Sequence, residues 1–476
     1  MIESLRLRNL KSFRDTGPIP LRPITVLAGA NSVGKSSVLQ ALLLLKQTFE
    51  AEGSDAPLAL DGRYLQLSEL SDLAFQKPSI ATAEVEYELR VSGSMGAQDV
   101  RPFFSRWPQY QTRAWAPYQS TLRWMYRSVS DDPGRRRIAV GSFSEDTEAF
   151  GLEGGIDARW MPRAKRYDAA LRDLQLPPEY RDRAIVNVNF RHFLPDHLTL
   201  GAVEGKTGRH AATTIGLPFP INQPMSDLRD LIQHQLHYLG PLRERPRRAY
   251  LHLGSTRPEI GQRGEYAAQV LWLERDDIVQ YRPVPDGSIE ELRFLEAVND
   301  AFARMGFGQR IHVRSDRSVT YQLLFDIPGK GSKNVTIADV GFGVSQLLPV
   351  IVLTLRSGPS SLLLFEQPEI HLHPRLQANL ADFFIAASSS EKRFVIETHS
   401  DHFINRLRRR IAEDPTDELS DRIAIHFVQS ADDGARIEPL AIDRYGVITN
   451  WPPDFLPESA DEAEAIVRAG IEKRRS

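Results

Sequence analysis

Apolar and polar positions fall into short, readable blocks at the two ends of the chain and into a long, poorly patterned stretch between them. Leu5, Leu7 and Leu10 lead into a turn marked by Gly17 and Pro18, and Ile24-Thr25-Val26-Leu27-Ala28 has the β-branched character of a buried strand. Ser37 to Phe49 is apolar at helical spacing, so the N-terminus predicts strand, loop and helix in that order. From Ala83 to Val91 the chain alternates, with Val85, Tyr87, Leu89 and Val91 set against Glu84, Glu86, Glu88 and Arg90; this is the period of a half-buried antiparallel strand.

Residues 95–290 resist such a reading. Sixteen prolines from Pro102 to Pro285 exclude a long coiled coil, since an interior proline breaks or kinks a helix. The stretch predicts a globular or irregular insert without internal repeats or low-complexity tracts. Order returns with a strand over Tyr321 to Ile327, a buried helix over Val344 to Leu355 despite Pro349, a strand over Ser361 to Phe365, a helix over Leu376 to Ala387 and a strand over Arg393 to Glu397. Strands alternating with helices predict a largely parallel sheet. A turn at Asp443-Arg444-Tyr445-Gly446 and the cluster Trp451-Pro452-Pro453 mark the tail.

Length and composition narrow the classes. At 476 residues the chain exceeds one ordinary core, so two or more lobes are expected. The net charge is -3, which makes the whole neither a polycation nor an acidic tail, and any basic surface must be local. No cysteine is present, which removes disulfides, thiolate metal sites and cysteine nucleophiles together. The charged start Met1-Ile2-Glu3-Ser4 does not suit a signal peptide, and the most apolar run, Leu347 to Leu355, is far shorter than the roughly 18 residues that span a bilayer. A soluble, cytoplasmic protein is expected.

The chemistry begins at Gly29-Ala30-Asn31-Ser32-Val33-Gly34-Lys35-Ser36, followed by Ser37, which has the phosphate-loop spacing and lies between a predicted strand and helix as that loop requires. Glycines let successive amides turn toward phosphate, the helix N-terminus adds partial positive charge, Lys35 reaches the β/γ-phosphates and Ser36 offers a ligand to Mg2+. A second apolar strand, Leu362-Leu363-Leu364-Phe365, ends in Glu366, which emerges at the carboxyl edge of the sheet as a partner for the metal shell. A third, Phe394-Val395-Ile396-Glu397-Thr398, delivers His399 to the same edge, either as a plain strand-end residue or to bond the γ-phosphate or place the attacking water.

With these elements in this order the chain resembles the ATP-binding-cassette ATPases of the SMC, RecF and overcoming-lysogenisation-defect type, in particular bacterial ATPases whose C-terminal piece is a domain of unknown function. The resemblance covers residues 1–75, 236–265 and 336–455 and rests also on Gly240-Pro241-Leu242-Arg243, on Glu366-Gln367-Pro368-Glu369-Ile370-His371-Leu372-His373-Pro374 and on Glu397-Thr398-His399-Ser400-Asp401. It implies an α/β fold, an ABC-ATPase head with a mixed sheet and helices, interrupted by a large globular α+β insert. The lobes would be 1–94 with the phosphate loop, the insert 95–235, a return segment 236–335, a C-terminal lobe 336–430 and a tail 431–476.

The resemblance further implies ATP and Mg2+ as cofactors and a homodimer or higher oligomer in which Asp339 to Gln346, with Gly341, Gly343 and Ser345, caps the γ-phosphate held by the opposite subunit. The alternative for that segment is a capped core helix. His371 and His373 would belong to a loop at the dimer seam. One departure matters: the family pattern has two acids at the strand end, and here Glu366 is followed by Gln367, whose amide cannot accept a proton, so hydrolysis would be slow or Glu369 or His399 would take the role.

Partners are less defined. Arg101, Phe103, Phe104, Arg106, Trp107, Arg113, Trp115, Arg123, Trp124, Tyr126 and Arg127 interleave cations with rings, a pattern for phosphate contact and base stacking or, alternatively, for a folded insert with a ringed core. Arg243, Arg245, Arg247 and Arg248 allow the same two readings, and Arg406, Arg408, Arg409 and Arg410 predict an exposed helix face. No nuclease signature is visible; the resemblance suggests antiviral defence, with cutting, if needed, left to a separate effector nuclease. DNA-end or DNA-gap repair, and a nucleotide-gated binding module without turnover, are the alternatives.

Overall fold

The computed structural model describes residues 1–51, 56–96, 115–132, 135–149, 152–173, 183–202, 212–218, 221–251, 258–284, 287–316, 320–326 and 334–450. The fold is mixed α/β, organised around two large sheets with helices between and behind them.

The sheet that positions the site has six strands in the order Leu236–Leu239, Leu362–Glu366, Arg393–Glu397, Ile24–Gly29, Ile423–Ala431 and Gly434–Pro439. All pairs are parallel except the last. Its central strands are apolar without alternation because both faces are covered. Leu362, Leu364 and Val395 face one core, shared with the helix Lys35–Glu50 and the second sheet. Leu363, Phe365, Phe394 and Ile396 face the other, shared with the helices Phe294–Met305, Phe342–Arg356, Pro374–Ser388 and Asp401–Glu413. Every carboxyl end on this parallel face therefore opens on the same edge.

The second sheet is antiparallel and runs in the order Phe13–Asp15, Ile2–Leu10, Glu84–Gly96, Trp115–Asp132, Arg135–Ala149, Leu152–Met161 and Arg166–Arg172. The alternation over 83–91 has the expected outcome: Val85, Tyr87, Leu89 and Val91 are at most 2% exposed. The same sheet continues from residues 84–96 into residues 115–172, so the hydrogen-bonded ladder crosses residue 95 without a break. The insert expected as α+β is strand-built through Gly216 among its described residues, with a second sheet of Arg183–Arg191, Leu194–Ala202 and Thr213–Gly216, and helix enters only at Asn222–Asp230. Among the insert's described strands only Pro117 and Pro195 are prolines, and Pro195 stands at a register shift of its ladder.

Two readings of the arginine-rich stretches are decided here. Trp124 and Tyr126 are at most 1% exposed, Trp124 stacking between Tyr87 at 5.3 Å and Phe193 at 4.8 Å between centroids. These rings are core, not a base-stacking platform, and their neighbour Arg123 pairs with Glu88 and Asp146 on the opposite face. Residues 101–114 of that stripe, and Trp451-Pro452-Pro453, lie outside the described residues. In the helix Asp401–Glu413, Arg406 and Arg410 both turn inward to Asp382 of the preceding helix, at 2.5 and 2.7 Å, so only part of that run decorates an exposed face.

Pro349 stands inside the helix Phe342–Arg356 as expected. The helix persists because Leu347, Leu348, Val350 and Ile351 are fully buried around it, and that packing outweighs the lost backbone bond. Among the described residues no helix is long and apolar enough to cross a membrane.

Candidate functional site

The phosphate-type loop joins the strand Ile24–Gly29 to the helix Lys35–Glu50. Gly29 and Gly34 both take positive φ, 141° and 113°, where a side chain is strained. Space forbids one as well: a Cβ on Gly29 would lie 2.1 Å from the Val428 carbonyl oxygen and one on Gly34 2.1 Å from the Ser12 hydroxyl. The loop thus lies tightly over its supports while Ala30, Asn31 and Ser32 stay exposed and Val33 is half-buried. Lys35, 3% exposed, folds back over the loop and donates to the Gly29 carbonyl at 3.1 Å and to the Ala30 carbonyl. Burial lowers the Lys35 pKa and the charge of Glu397 opposes the fall. Ser37 is buried and donates its amide to the Gly34 carbonyl, closing the first helical turn.

Strand order sets what faces this loop. The strand Arg393–Glu397 lies directly beside the loop strand, with Glu397 level with Leu27, and the strand Leu362–Glu366 lies one further out, with Glu366 level with Glu397. Burial raises the pKa of the Glu397 carboxylate, while the neighbouring Ser36 hydroxyl and then Lys35 hold it down. Glu397 is 4% exposed and its Oε2 has no hydrogen-bond partner. Glu366 accepts the Tyr238 hydroxyl at 3.0 Å; burial pushes its pKa up to about 7, the Glu397 charge adds to the rise, and Tyr238 and Arg243 oppose it.

Arg243 is not a surface cation. It is 6% exposed, donates to the Glu366 carbonyl at 3.5 Å and leaves Nε and Nη1 without partners. Burial pushes its pKa down to about 10 against the pull of Tyr238, Glu366 and Glu369. Arg248, by contrast, is exposed and pairs with Asp339 at 2.7 Å.

The residues after Glu366 form a tight turn. Gln367 adopts φ 44° and donates its amide to the Glu397 carbonyl at 2.8 Å, leaving its side chain half-buried. Glu369 is buried and spends Oε1 on the Thr398 hydroxyl at 2.6 Å and the His399 amide at 3.0 Å, while Oε2 is unpartnered. Burial raises its pKa. His399 lies near the loop: desolvation and then Lys35 lower its pKa, while the backbone at Gly29 opposes the fall. His373 caps the helix Pro374–Ser388 by accepting the Arg375 amide, which gives it a structural use.

The glycine-rich segment packs on the loop that follows Glu369. Gly341 caps the helix Phe342–Arg356 with nothing within 4 Å of where a Cβ would sit, Gly343 rests against Leu372 and His371, and Ser345 is buried. The phosphate loop rests against Ser12, Phe13 and Val428 instead. Site residues drawn from the sequence are thus brought together in one group, Lys35, Ser36, Glu366, Glu369 and His399, with Gly341 to Ser345 outside it.

The sequence reading quoted Glu397 and Arg243 within motifs without giving them a place in this site, and passed over Tyr238. Glu397 is the last residue of a buried strand directly before Thr398-His399, and that position alone marks it for the sheet edge. Among the described residues no group of three or more His, Cys, Asp or Glu side chains could hold a metal unaided. A hydroxyl, a carboxylate and phosphate oxygens are what Mg2+ takes, so Ser36, Glu366 or Glu397, and a bound triphosphate fit it.

The family described as "AAA domain, putative AbiEii toxin, Type IV TA system" matches residues 24–405. The chain belongs to this family. Residues 420–466 of this AAA-domain chain also match a family described as a protein of unknown function, DUF3696. No curated protein matches it. Solved structures similar to it include the SMC head bound to the C-winged helix domain of ScpA, at 13% identity and TM-score 0.43 over 93% of this chain and 98% of that one. The SMC head domain from Thermotoga maritima is similar at 12% identity and TM-score 0.38 over 93% and 99% of the two chains. A third is the Smc head with an extended coiled coil bound to the C-terminal domain of ScpA derived from Pyrococcus furiosus, at 12% identity and TM-score 0.40 over 100% and 99%.

Proposed function

We propose that this AAA-domain chain binds ATP with Mg2+, hydrolyses it slowly, and closes as a homodimer around two nucleotides to control a separate effector, a nuclease acting in antiviral defence. One observation carries the nucleotide reading: Lys35, Ser36, Glu397 and His399 converge on a loop whose glycines leave its amides free to turn outward. The amides and the Lys35 ammonium would take the phosphates, Lys35 exchanging the Gly29 and Ala30 carbonyls for phosphate oxygens. ATP supplies the bond to be cleaved and Mg2+ neutralises charge on its phosphates.

In this reading Glu366 and His399 would place the attacking water, with the Tyr238 hydroxyl holding the Glu366 carboxylate and Arg243 its backbone carbonyl. Gln367 can orient that water and cannot deprotonate it, which supports slow turnover. Dimer closure is supported by the open start of the helix at Gly341: nothing lies within 4 Å of where a Cβ would sit, which leaves room for a γ-phosphate held by an opposite subunit. The family's description as an AAA domain supports the nucleotide reading. Burial of Trp124 and Tyr126 takes support away from direct DNA contact by that stripe.

Phosphate release by purified protein, with and without DNA, tests the reading, together with sedimentation in ATP. Turnover that Lys35→Ala abolishes, and an ATP-dependent shift from monomer to dimer, are the expected results. Tight ATP binding with no release would favour the nucleotide-gated binding module, and stimulation by DNA ends would favour repair.

A further inference from the structure

We propose that two neighbouring hairpin ends of the antiparallel sheet, carrying Arg136, Arg137, Arg159, Arg163, Lys165 and Arg166, bind the phosphate backbone of a nucleic-acid duplex. The proposal concerns the insert alone and does not rest on the ATP reading above.

Charge comes first. The whole chain carries -3, yet residues 127–137 and 159–168 hold eight cations against three acids, Asp131, Asp132 and Asp168. Topology gathers them. The strands Trp115–Asp132, Arg135–Ala149, Leu152–Met161 and Arg166–Arg172 are consecutive antiparallel neighbours, so the connection after the first and the connection after the third stand at the same end of the sheet. At about 4.8 Å between strands the row is roughly 14 Å wide, enough to reach phosphates on both sides of a groove about 6 or about 12 Å across.

These cations are available to a ligand. Arg136, Arg159 and Arg163 are exposed, and none of them enters an ion pair among the described residues. Arg166 donates Nη1 to the Val186 carbonyl at 2.7 Å, which ties its hairpin to the strand Arg183–Arg191 and fixes the site in place. Like charges gathered on strand ends repel one another, and a polyanion relieves that repulsion.

The rings decide which polyanion. Trp160 stands among the arginines but is 8% exposed, with the Arg137 guanidinium 5.3 Å over its ring and Tyr167 at 5.0 Å. It offers no open platform for an unpaired base, which a single strand would use. Met161, 43% exposed, is the one large apolar side chain exposed on these hairpin ends among the described residues, too little for the apolar face that a membrane-surface site adds to its charge. Cations without a ring platform or an apolar face suit the phosphates of a duplex, read without regard to sequence.

The same end of the sheet meets the phosphate loop. Arg127 is level with Glu84 and Arg8 with Glu86, so the hairpin joining Leu10 to Phe13, on which Gly34 packs, points the same way as the basic ends. A bound duplex would lie on the phosphate-loop side of the insert.

Fluorescence anisotropy without nucleotide compares short labelled DNA and RNA duplexes with the matching single strands, and flotation tests vesicles of anionic phospholipid. One variant, Arg136→Gln with Arg159→Gln and Arg163→Gln, removes three charges from the hairpin ends. A second, Arg409→Gln with Arg436→Gln and Arg444→Gln, removes three elsewhere, and circular dichroism checks that both fold. Wild type is expected to bind a DNA or RNA duplex more tightly than single strands and with little sequence preference. The hairpin variant is expected to lose roughly tenfold or more in affinity, with a log-log salt slope about two to three shallower, while the second variant stays within about twofold of wild type. Equal losses in the two variants, preference for single strands or vesicles over duplex, or no duplex binding by wild type at low salt overturns the proposal. ATP binding is untouched by any of these results.

Discussion

Thr398 donates its hydroxyl to Glu369 Oε1 at 2.6 Å, and the His399 amide donates to the same oxygen at 3.0 Å. The carboxylate that the sequence offers as a substitute base is therefore a clamp, tying the turn after one strand to the turn after the next. Replacing Glu369 with Ala removes both bonds and leaves buried donors without acceptors, at a cost of about 1–3 kcal/mol. Chemical denaturation checks the stability loss. Steady-state kinetics should show kcat falling further than ATP affinity, because the clamp positions His399 while the loop at Lys35 remains intact. A loss of the acidic limb of the pH–rate profile with unchanged stability would instead identify Glu369 as the base.

Gly29 and Gly34 separate two kinds of tight fit. A Cβ at Gly29 meets a backbone carbonyl, that of Val428, which cannot turn away, whereas one at Gly34 meets the rotatable Ser12 hydroxyl. Both carry positive φ, so each Ala substitution brings strain of order 1–3 kcal/mol, and Gly29→Ala adds overpacking of about 1 kcal/mol or more. Denaturant midpoints are expected to fall for both and further for Gly29→Ala.

Glu145 is fully buried in the antiparallel sheet, where it accepts the Ser120 hydroxyl at 3.1 Å and the Thr147 hydroxyl at 2.7 Å. Burial pushes its pKa up to about 8 from an ordinary 4.5, against those two hydrogen bonds. Between these values the native state holds a proton that the unfolded chain has lost, so stability is full below pH 4.5 and declines as pH rises toward 8. Glu145→Gln should flatten that part of the stability profile and raise the melting temperature at pH 8 relative to wild type. His237 and His426, both pushed down to about 4 by burial, act oppositely, their contribution being lost as pH falls below 6.5. The difference between Glu145→Gln and wild type cancels them.

Asp382 receives both Arg406 and Arg410 across two packed helices. Asp382→Ala is expected to cost about 1–2 kcal/mol in urea unfolding, since two charge-assisted contacts in a half-buried place are lost. Arg409→Ala, which removes a pair on the solvent side of the same helix, should leave the midpoint unchanged.

The sequence showed the parallel head more clearly than the insert, for a physical reason. Strands buried on both faces, such as Leu362 to Phe365, read as unbroken apolar runs, and the loop between Gly29 and Ser36 is fixed by backbone needs that only glycine meets. The insert's strands instead pair over long, exposed ladders in which Arg123, Glu88, Asp146 and Arg172 face one another, so polar residues dominate and periodicity fades. Site residues were legible where chemistry follows from spacing along the chain, as at Lys35, Ser36 and His399. Glu397, Tyr238 and Arg243 were not, because their roles come from strand order, which local pattern does not contain.

Isothermal calorimetry of ATP with Mg2+ tests the central claim most directly, namely that the amides around Lys35 hold a nucleoside triphosphate. The account predicts saturable heat for the wild-type protein that Lys35→Ala abolishes in a folded chain. Equal heats for the two proteins, or none for wild type, would contradict it.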